Sequence, residues 1–143
     1  MIGMGTFTTL HRSRFYPASI QLPELDYNAF CQCTHQNTGN FYDFIPRDSS
    51  RLVVSIGDLP AAGDAPSITI PCLQALVRGL TAGSHGDLAG LAHELNGTLY
   101  LLGPQDVCAP WFYAQIDPVQ HKLQYVNAGH REPCRQSFEN VVF

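Results

Sequence analysis

The sequence predicts an α+β fold in which antiparallel strands flank a central pair of helices. Short runs of alternating apolar residues occur in the first and last thirds of the chain. Between them, two segments repeat apolar residues at three- and four-residue spacing. The chain has 143 residues, 45% of them hydrophobic, which fits one domain with a single core.

Charge and hydropathy exclude several classes of protein. Lys and Arg number 8 against 12 Asp and Glu, for a net charge of -4, so no basic surface for nucleic acid or anionic lipid is expected. No apolar run approaches the roughly 18–20 residues of a membrane-spanning helix. The N-terminus also lacks the basic-then-apolar order of a secretion signal. We therefore expect a cytoplasmic protein with neither nucleic acid nor membrane as a partner.

The first half of the chain contains three candidate strands. Residues 1–19 show little periodicity and form a lead-in, so the domain is expected over residues 20–143. Alternation predicts a strand over Leu25–Cys33, and aromatic and β-branched runs predict strands over Phe41–Ile45 and Arg51–Ile56. The polar loop between the last two strands predicts a hairpin.

Two helices are expected in the middle of the chain. The segment Ser67–Leu80 places apolar side chains on one face, namely those of Ile68, Cys72, Leu73, Leu76, Val77 and Leu80. Asp87 suits the N-cap of a second helix, whose apolar residues are Leu88, Leu91, Leu95, Leu99 and Leu102. Strands over Ala109–Ile116 and Lys122–Val126 follow, joined by a turn over residues 117–121.

The hairpin makes a geometric prediction about two polar residues. A turn centred near residues 48–49 places Asn40 opposite Asp58 in an antiparallel ladder. Further along the ladder, the expected partner of Asp43 is Val54. Paired acidic side chains at positions 40 and 58 would suit a hard cation such as Mg²⁺ or Mn²⁺. Position 40 is an amide instead, and its oxygen can bind a cation but carries no charge.

Three motifs follow one another along the chain. They are Gly39-Asn40-Phe41-Tyr42-Asp43-Phe44, then Ile56-Gly57-Asp58-Leu59 with Gly63, then Val126-Asn127-Ala128-Gly129-His130. This order resembles the SpoIIE/RsbU branch of the bacterial PPM (protein phosphatase 2C-like) serine/threonine phosphatases. That branch has Gly-Gly-Asp-Phe-Tyr-Asp, Gly-Asp-Val-Ser-Gly-x-Gly and Asn-Ala-Gly-His. Weaker likenesses at residues 20–23, 93–96 and 112–117 extend the resemblance over residues 20–134.

The resemblance implies an α/β/β/α sandwich of antiparallel sheets with two Mn²⁺ or Mg²⁺ ions between the sheets. In such enzymes the metal ions activate a water that attacks phosphoserine or phosphothreonine. By its place in the motifs, Asp58 matches a metal-binding aspartate and Leu59 a backbone carbonyl ligand. Asn40 stands where the family has another metal-binding aspartate. Asp43 matches a second acidic position, outside the metal ligands.

The remaining motif residues are Gly57, Gly63 and His130, the last with a mainly structural role by resemblance. Each polar candidate also has a simpler role. Asp58 suits a turn after a strand, Asn40 a loop amide and His130 a hydrogen-bonded turn. Asp43, within an aromatic strand, is most simply a solvent-facing residue.

The sequence departs from the family pattern in three places. Asn40 replaces an aspartate, and Pro60-Ala61-Ala62-Gly63 replaces Ser-Gly-x-Gly. The family's later Asp-Gly-containing strand and final aspartate are expected beyond Phe143, so we expect a sandwich that lacks its C-terminal section. Of the family's metal-binding carboxylates, only Asp58 has a match.

Two functions of different class remain open. The first is a degenerate phosphatase domain that binds a signalling partner without efficient catalysis. The second is an active Mn²⁺- or Mg²⁺-dependent serine/threonine phosphatase whose other ligands come from residues such as Asp64, Asp87 or Asp106.

The resemblance also implies partners. Domains of this family commonly act on phosphorylated regulators such as anti-sigma-factor antagonists, so a phosphoprotein or other signalling protein is expected. A sandwich without its last strands would leave an open sheet edge, and such edges favour pairing of two copies into a homodimer.

Overall fold

The computed structural model describes Leu22, Ala29 and residues 24–27, 39–59, 66–102 and 108–134. These ranges contain, in chain order, β1 (Asn40–Pro46), β2 (Leu52–Asp58), α1 (Pro66–Gly83), α2 (Leu88–Leu102), β3 (Trp111–Asp117) and β4 (Lys122–Ala128). The predicted α+β class is confirmed. Neither helix in this part of the chain is long and apolar enough to cross a membrane.

The strands form a four-stranded antiparallel sheet in the order β1-β2-β3-β4. β2 and β3 are neighbours although both helices lie between them in sequence. α1 packs against β1 and α2 packs against β4, so the helices cover one face of the sheet. Within the described ranges the protein is therefore one sheet with one helical layer, which corresponds to one side of the expected sandwich.

Side-chain alternation decides which residues face the helices. Phe41 and Ile45 of β1 are buried against them. The core comprises Phe41, Ile45, Val53, Leu59, Leu73, Val77, Leu91, Leu95, Trp111 and Tyr113. On the opposite face, towards β4, Leu123 and Tyr125 are 54% and 59% exposed.

Where the structure describes the side chains, the helices agree with the predicted apolar faces except at one position; Ile68 and Leu102 lie outside those side chains. Leu73 and Val77 of α1 are buried, whereas Cys72 is exposed. Cys72 is rotated by about 100° from Leu73 around the helix, and at this position the rotation takes it out of the buried face. The Oδ1 atom of Asp87 accepts a hydrogen bond from the Gly90 amide at 2.9 Å, which confirms the predicted N-cap of α2.

The predicted first strand is wrong where the structure describes it. Asp26, Tyr27 and Ala29 lie outside any strand, and the rest of Leu25–Cys33 lies outside the described residues. The Tyr27 ring packs on the Phe44 ring with centroids 4.8 Å apart. Alternating apolar residues indicate that one side of a segment is buried. Here the ring contact of Tyr27 with Phe44 buries that side, although the segment forms no strand.

The loop between β1 and β2 fixes how the two strands pair. The Arg47 amide donates to the Arg51 carbonyl at 3.0 Å. Inside the loop, Oδ1 of Asp48 accepts hydrogen bonds from the amides of Ser50 at 2.9 Å and Arg51 at 2.8 Å. These bonds centre the loop on Ser49, because Pro46 and Leu52 form the last pair of the ladder.

This register confirms one predicted pair and corrects the other. Asn40 lies opposite Asp58, as the sequence predicts. Asp43 lies opposite Ser55, not Val54. The two predicted pairs imply registers that differ by one residue, and a loop centred on Ser49 fixes the register that pairs Asn40 with Asp58.

Asp43 is buried, so its predicted solvent-facing position is wrong. It lies between Phe41 and Ile45 on the helix side of β1 and is only 1% exposed. Arg78 of α1 satisfies both carboxylate oxygens, with Nε 2.8 Å from Oδ2 and Nη2 2.6 Å from Oδ1. This bidentate ion pair joins β1 to α1 under the helical layer.

Burial raises the pKa of the Asp43 carboxyl, and the Arg78 guanidinium opposes part of that rise. The pKa in the folded state therefore lies above that in the unfolded state. The contribution of Asp43 to stability is fully present below the unfolded-state pKa. It is lost as the pH rises through the folded-state pKa.

We expect Arg78→Met to lower the free energy of unfolding by about 3 kcal/mol at neutral pH, because it leaves a buried carboxylate without its ion-pair partner. Loss of the guanidinium should raise the pKa of Asp43 further. The difference in stability between the variant and the wild type should therefore shrink as the pH is lowered towards mildly acidic values. Urea unfolding monitored by the single tryptophan, Trp111, measures both effects.

Arg131→Met provides the control, since Arg131 is exposed and its loss should change stability by less than about 0.5 kcal/mol. Unchanged stability of Arg78→Met at neutral pH, or a deficit that grows on acidification, would contradict this role of the ion pair.

Candidate functional site

Asn40 and Asp58 face each other at one end of the β1–β2 ladder. They are direct cross-strand partners, and both are exposed. Their neighbours Phe41 and Gly57 face the helices, so Asn40 and Asp58 lie on the other face of the sheet. A carboxylate and an amide oxygen therefore meet at this end, on the face without helices.

Backbone hydrogen bonds from three segments hold this end in place. The Leu59 amide donates to the Gly39 carbonyl at 2.9 Å, and the Asp58 amide donates to the Pro110 carbonyl, just before β3, at 3.0 Å. The side chain of Leu59 is buried in the core. The positions of Asp58 and Leu59 thus depend on both flanking strands.

Two glycines permit the close packing around these residues. A Cβ atom on Gly39 would overlap the carbonyl oxygen of Leu59, and a Cβ atom on Gly57 would overlap the ring of Phe41. Only glycine fits at either position without displacing the neighbour. Close packing therefore explains why a glycine precedes Asn40 in the first motif and Asp58 in the second.

The turn Asn127–His130 lies at the same end of the sheet. Gly129 bridges to Trp111, which pairs with Gly57 of β2. Oδ1 of Asn127 accepts a hydrogen bond from the His130 amide at 2.9 Å, and its Nδ2 donates to the His130 carbonyl at 3.0 Å. Gly129 has a φ of 78°, which glycine adopts without strain. His130 is thus the hydrogen-bonded turn residue that the sequence predicts.

The structure brings most of the predicted site residues to one end of the sheet. They are Asn40, Gly57, Asp58, Leu59 and His130. Asp43, on the helix side of β1, does not belong to this group. Gly63 lies outside the described residues.

Of the proposed alternative ligands, Asp64 and Asp106 lie outside the described residues, and Asp87 does not join this group. The Asp87 amide donates to the Ser84 carbonyl, and the Ser84 hydroxyl accepts from Arg47 of the hairpin loop at 3.2 Å. Asp87 is therefore near the other end of β1, and a strand of this length spans about 20 Å. It is too far away to share a metal ion with Asp58.

Among the residues that the structure describes, the oxygen donors at the Asn40–Asp58 end are too few for two metal ions. They are one carboxylate, the amide oxygen of Asn40 and the carbonyl of Leu59, which lies against Gly39. Within the described ranges, no group of three or more His, Cys, Asp or Glu side chains is arranged to hold a metal. Mg²⁺ and Mn²⁺ centres depend on several anionic oxygens, and Asp58 supplies the single carboxylate among these donors.

Sequence reasoning missed the importance of Arg78. The signal was present in β1, because strict alternation puts Asp43 on the same side as the buried Phe41 and Ile45. A carboxylate on a buried face requires a partner. The sequence alone does not show which basic residue supplies it, since that depends on how α1 lies across the sheet.

Comparison with known proteins identifies the family. The family model described as stage II sporulation protein E (SpoIIE) matches residues 48–143, which is well over half of the chain. The chain belongs to the SpoIIE family. The match begins after Asn40 and Asp43, so the first motif lies outside it.

A solved structure supports the fold independently. It is the crystal structure of the RsbU and RsbW domains of Rv1364c from Mycobacterium tuberculosis, with a TM-score of 0.57 and 18% identity. The similarity covers 68% of this chain and 27% of that chain. It shows that the sheet and helical pair have the arrangement of part of an RsbU/PPM-type domain. No curated protein sequence matches this chain significantly.

We expect Gly39→Ala to destabilise the fold by about 3 kcal/mol, because the new methyl group must displace the Leu59 backbone. Urea unfolding of the two proteins gives this difference. Gly97→Ala is the matched control, since a Cβ at Gly97 in α2 would meet no atom within 4 Å beyond its chain neighbours and the backbone of its own helix. That change should stabilise by about 0.5–1 kcal/mol through helix propensity. A Gly39→Ala variant as stable as the wild type would show that the carbonyl of Leu59 is not held against position 39.

Proposed function

We propose that this SpoIIE-family domain acts by binding a signalling protein and does not hydrolyse phosphoproteins efficiently. The observation that carries the proposal is the pair at the end of the hairpin, where a neutral amide, Asn40, faces Asp58. In the family resemblance this is the position of a second metal-binding aspartate.

The charge at this end of the sheet supports the proposal. A two-metal phosphatase centre has to offset four positive charges, and each carboxylate ligand contributes one negative charge. Asn40 contributes none. Asp43, the nearest other carboxylate in the first motif, is on the opposite face and bound to Arg78. The Pro60-Ala61-Ala62-Gly63 segment, in place of Ser-Gly-x-Gly, is a further departure in the sequence next to Asp58.

The proposed partner is a phosphorylated or otherwise regulated signalling protein. This follows from the SpoIIE family and from the phosphoprotein substrates that the resemblance implies. The solved Mycobacterium tuberculosis structure contains an RsbU domain together with an RsbW domain, which supports an RsbU-type domain working beside a second signalling domain. A protein partner requires no metal ions at Asp58.

The alternative is an active Mn²⁺- or Mg²⁺-dependent serine/threonine phosphatase. Family membership and the exposed carboxylate of Asp58 favour it. This activity would need further carboxylates from outside the described ranges, of which Asp64 and Asp106 are the candidates.

Hydrolysis of a phosphoserine peptide and of p-nitrophenyl phosphate, in Mn²⁺ and in Mg²⁺, separates the two functions. We expect the wild type to show no more turnover than Asp58→Ala, because a single carboxylate holds divalent ions weakly. Glu94→Ala, which removes an exposed carboxylate of α2, controls for the change in net charge. Turnover that persists in Glu94→Ala and disappears in Asp58→Ala would establish the active phosphatase.

A further inference from the structure

A second polar site lies at the other end of the β1–β2 hairpin, near the C-terminus of α1. It is a cleft of about 350 Å³ whose lining includes Arg47, Arg51, Arg78, Asp48 and Thr81. We call it the arginine cleft. It is separated from Asn40 and Asp58 by the length of β1, about 20 Å.

The arginine cleft gathers arginine side chains in an acidic protein. Three of the 8 Lys and Arg residues of the chain line it, although the net charge of the chain is -4. Asp48 and Asp43 form ion pairs with Arg51 and Arg78, and the charge of Asp117 also acts on Arg51. Three carboxylates thus balance three guanidinium groups, so the cleft offers charged hydrogen-bond donors without a net positive charge.

Each arginine is held on one side by a neighbour. Arg51 donates from Nε to Oδ2 of Asp48 at 2.6 Å, and Arg78 is held by Asp43 in the bidentate pair. Arg47 donates from Nη1 to the Thr81 carbonyl at 3.4 Å and to the Ser84 hydroxyl at 3.2 Å. The side chains are thus ordered before any ligand binds, which lowers the entropic cost of binding.

The guanidinium groups also keep donors available. In the part of the chain that the structure describes, the Nη1 groups of Arg51 and Arg78 have no hydrogen-bond partner. Both residues line the cleft, with side chains 37% and 26% exposed. Arginine is the side chain best suited to bind oxyanions, because its planar fork matches two oxygens at once.

We propose that the arginine cleft binds a dianionic phosphoryl group. A phosphoryl group offers three acceptor oxygens to guanidiniums that come from both sides of the hairpin loop and from α1. Binding would depend on the unused Nη1 donors of Arg51 and Arg78, which the ion pairs with Asp48 and Asp43 hold in the cleft. The group could be free phosphate or a phosphorylated side chain, since the recognition chemistry is the same. This proposal is independent of whether Asp58 holds a metal.

Titration of the full chain with inorganic phosphate, followed by two-dimensional ¹H–¹⁵N NMR, tests the proposal. We expect saturable shifts confined to the hairpin loop 46–51 and residues 78–84. A phosphoserine peptide and its unphosphorylated form make the second arm. Tighter binding of the phosphopeptide than of phosphate identifies a phosphorylated side chain as the ligand, and equal binding identifies free phosphate.

Arg51→Gln should weaken binding of the phosphate probe roughly tenfold or more, because it removes a charge-assisted hydrogen-bond donor. The fold should survive, since the Arg51–Asp48 pair is largely at the surface. Arg131→Gln makes the same change in net charge outside the cleft and should leave binding unchanged. Absence of saturable shifts with phosphate and phosphopeptide alike, or equal weakening by both variants, would overturn the proposal.

Discussion

Both ends of the domain depend on the register between β1 and β2. The loop bond from Arg47 to Arg51 and the Asp48 side chain close the hairpin around Ser49. Every later pair follows, up to Asn40 opposite Asp58. A slip of one residue would turn each β1 side chain to the other face. It would bury Asn40, expose Phe41 and move Asp43 away from α1.

Asp43 and Asp58 have opposite environments because the register of β1 and β2 places them on opposite faces of the sheet. Asp58 lies on the open face, where its carboxylate is exposed. Asp43 lies on the helix face, where desolvation and Arg78 determine its state. Asp43 therefore contributes to the attachment of α1 and has no part in the chemistry at the Asn40–Asp58 end. In the cross-strand pair at that end, Asp58 carries a negative charge and Asn40 does not.

Much of the fold follows from the sequence because its patterns are local. The alternation in β1 and β2, the helical spacing from Leu73 to Val77 and the Asp87 cap each depend on near neighbours, and each is present in the structure. The pairing of Asn40 with Asp58 could be predicted because the short loop between β1 and β2 limits how the two strands can pair. Three features could not be predicted from the sequence. The exact centre of the loop depends on the Asp48 hydrogen bonds, the partner of Asp43 depends on how α1 crosses the sheet, and the arginine cleft joins residues of the loop to residues more than thirty positions later.

The proposed loss of metal binding depends on the lack of a charge at position 40, opposite Asp58. The most direct test is calorimetric titration of Mn²⁺ into the wild type and into Asn40→Asp, which restores a second carboxylate at the point where the strands pair. We expect no measurable binding at this site by the wild type up to millimolar Mn²⁺. We expect Asn40→Asp to gain affinity by roughly tenfold or more, since ligand charge governs affinity for such cations. Wild-type binding as tight as that of Asn40→Asp, and lost in Asp58→Ala, would contradict the proposal.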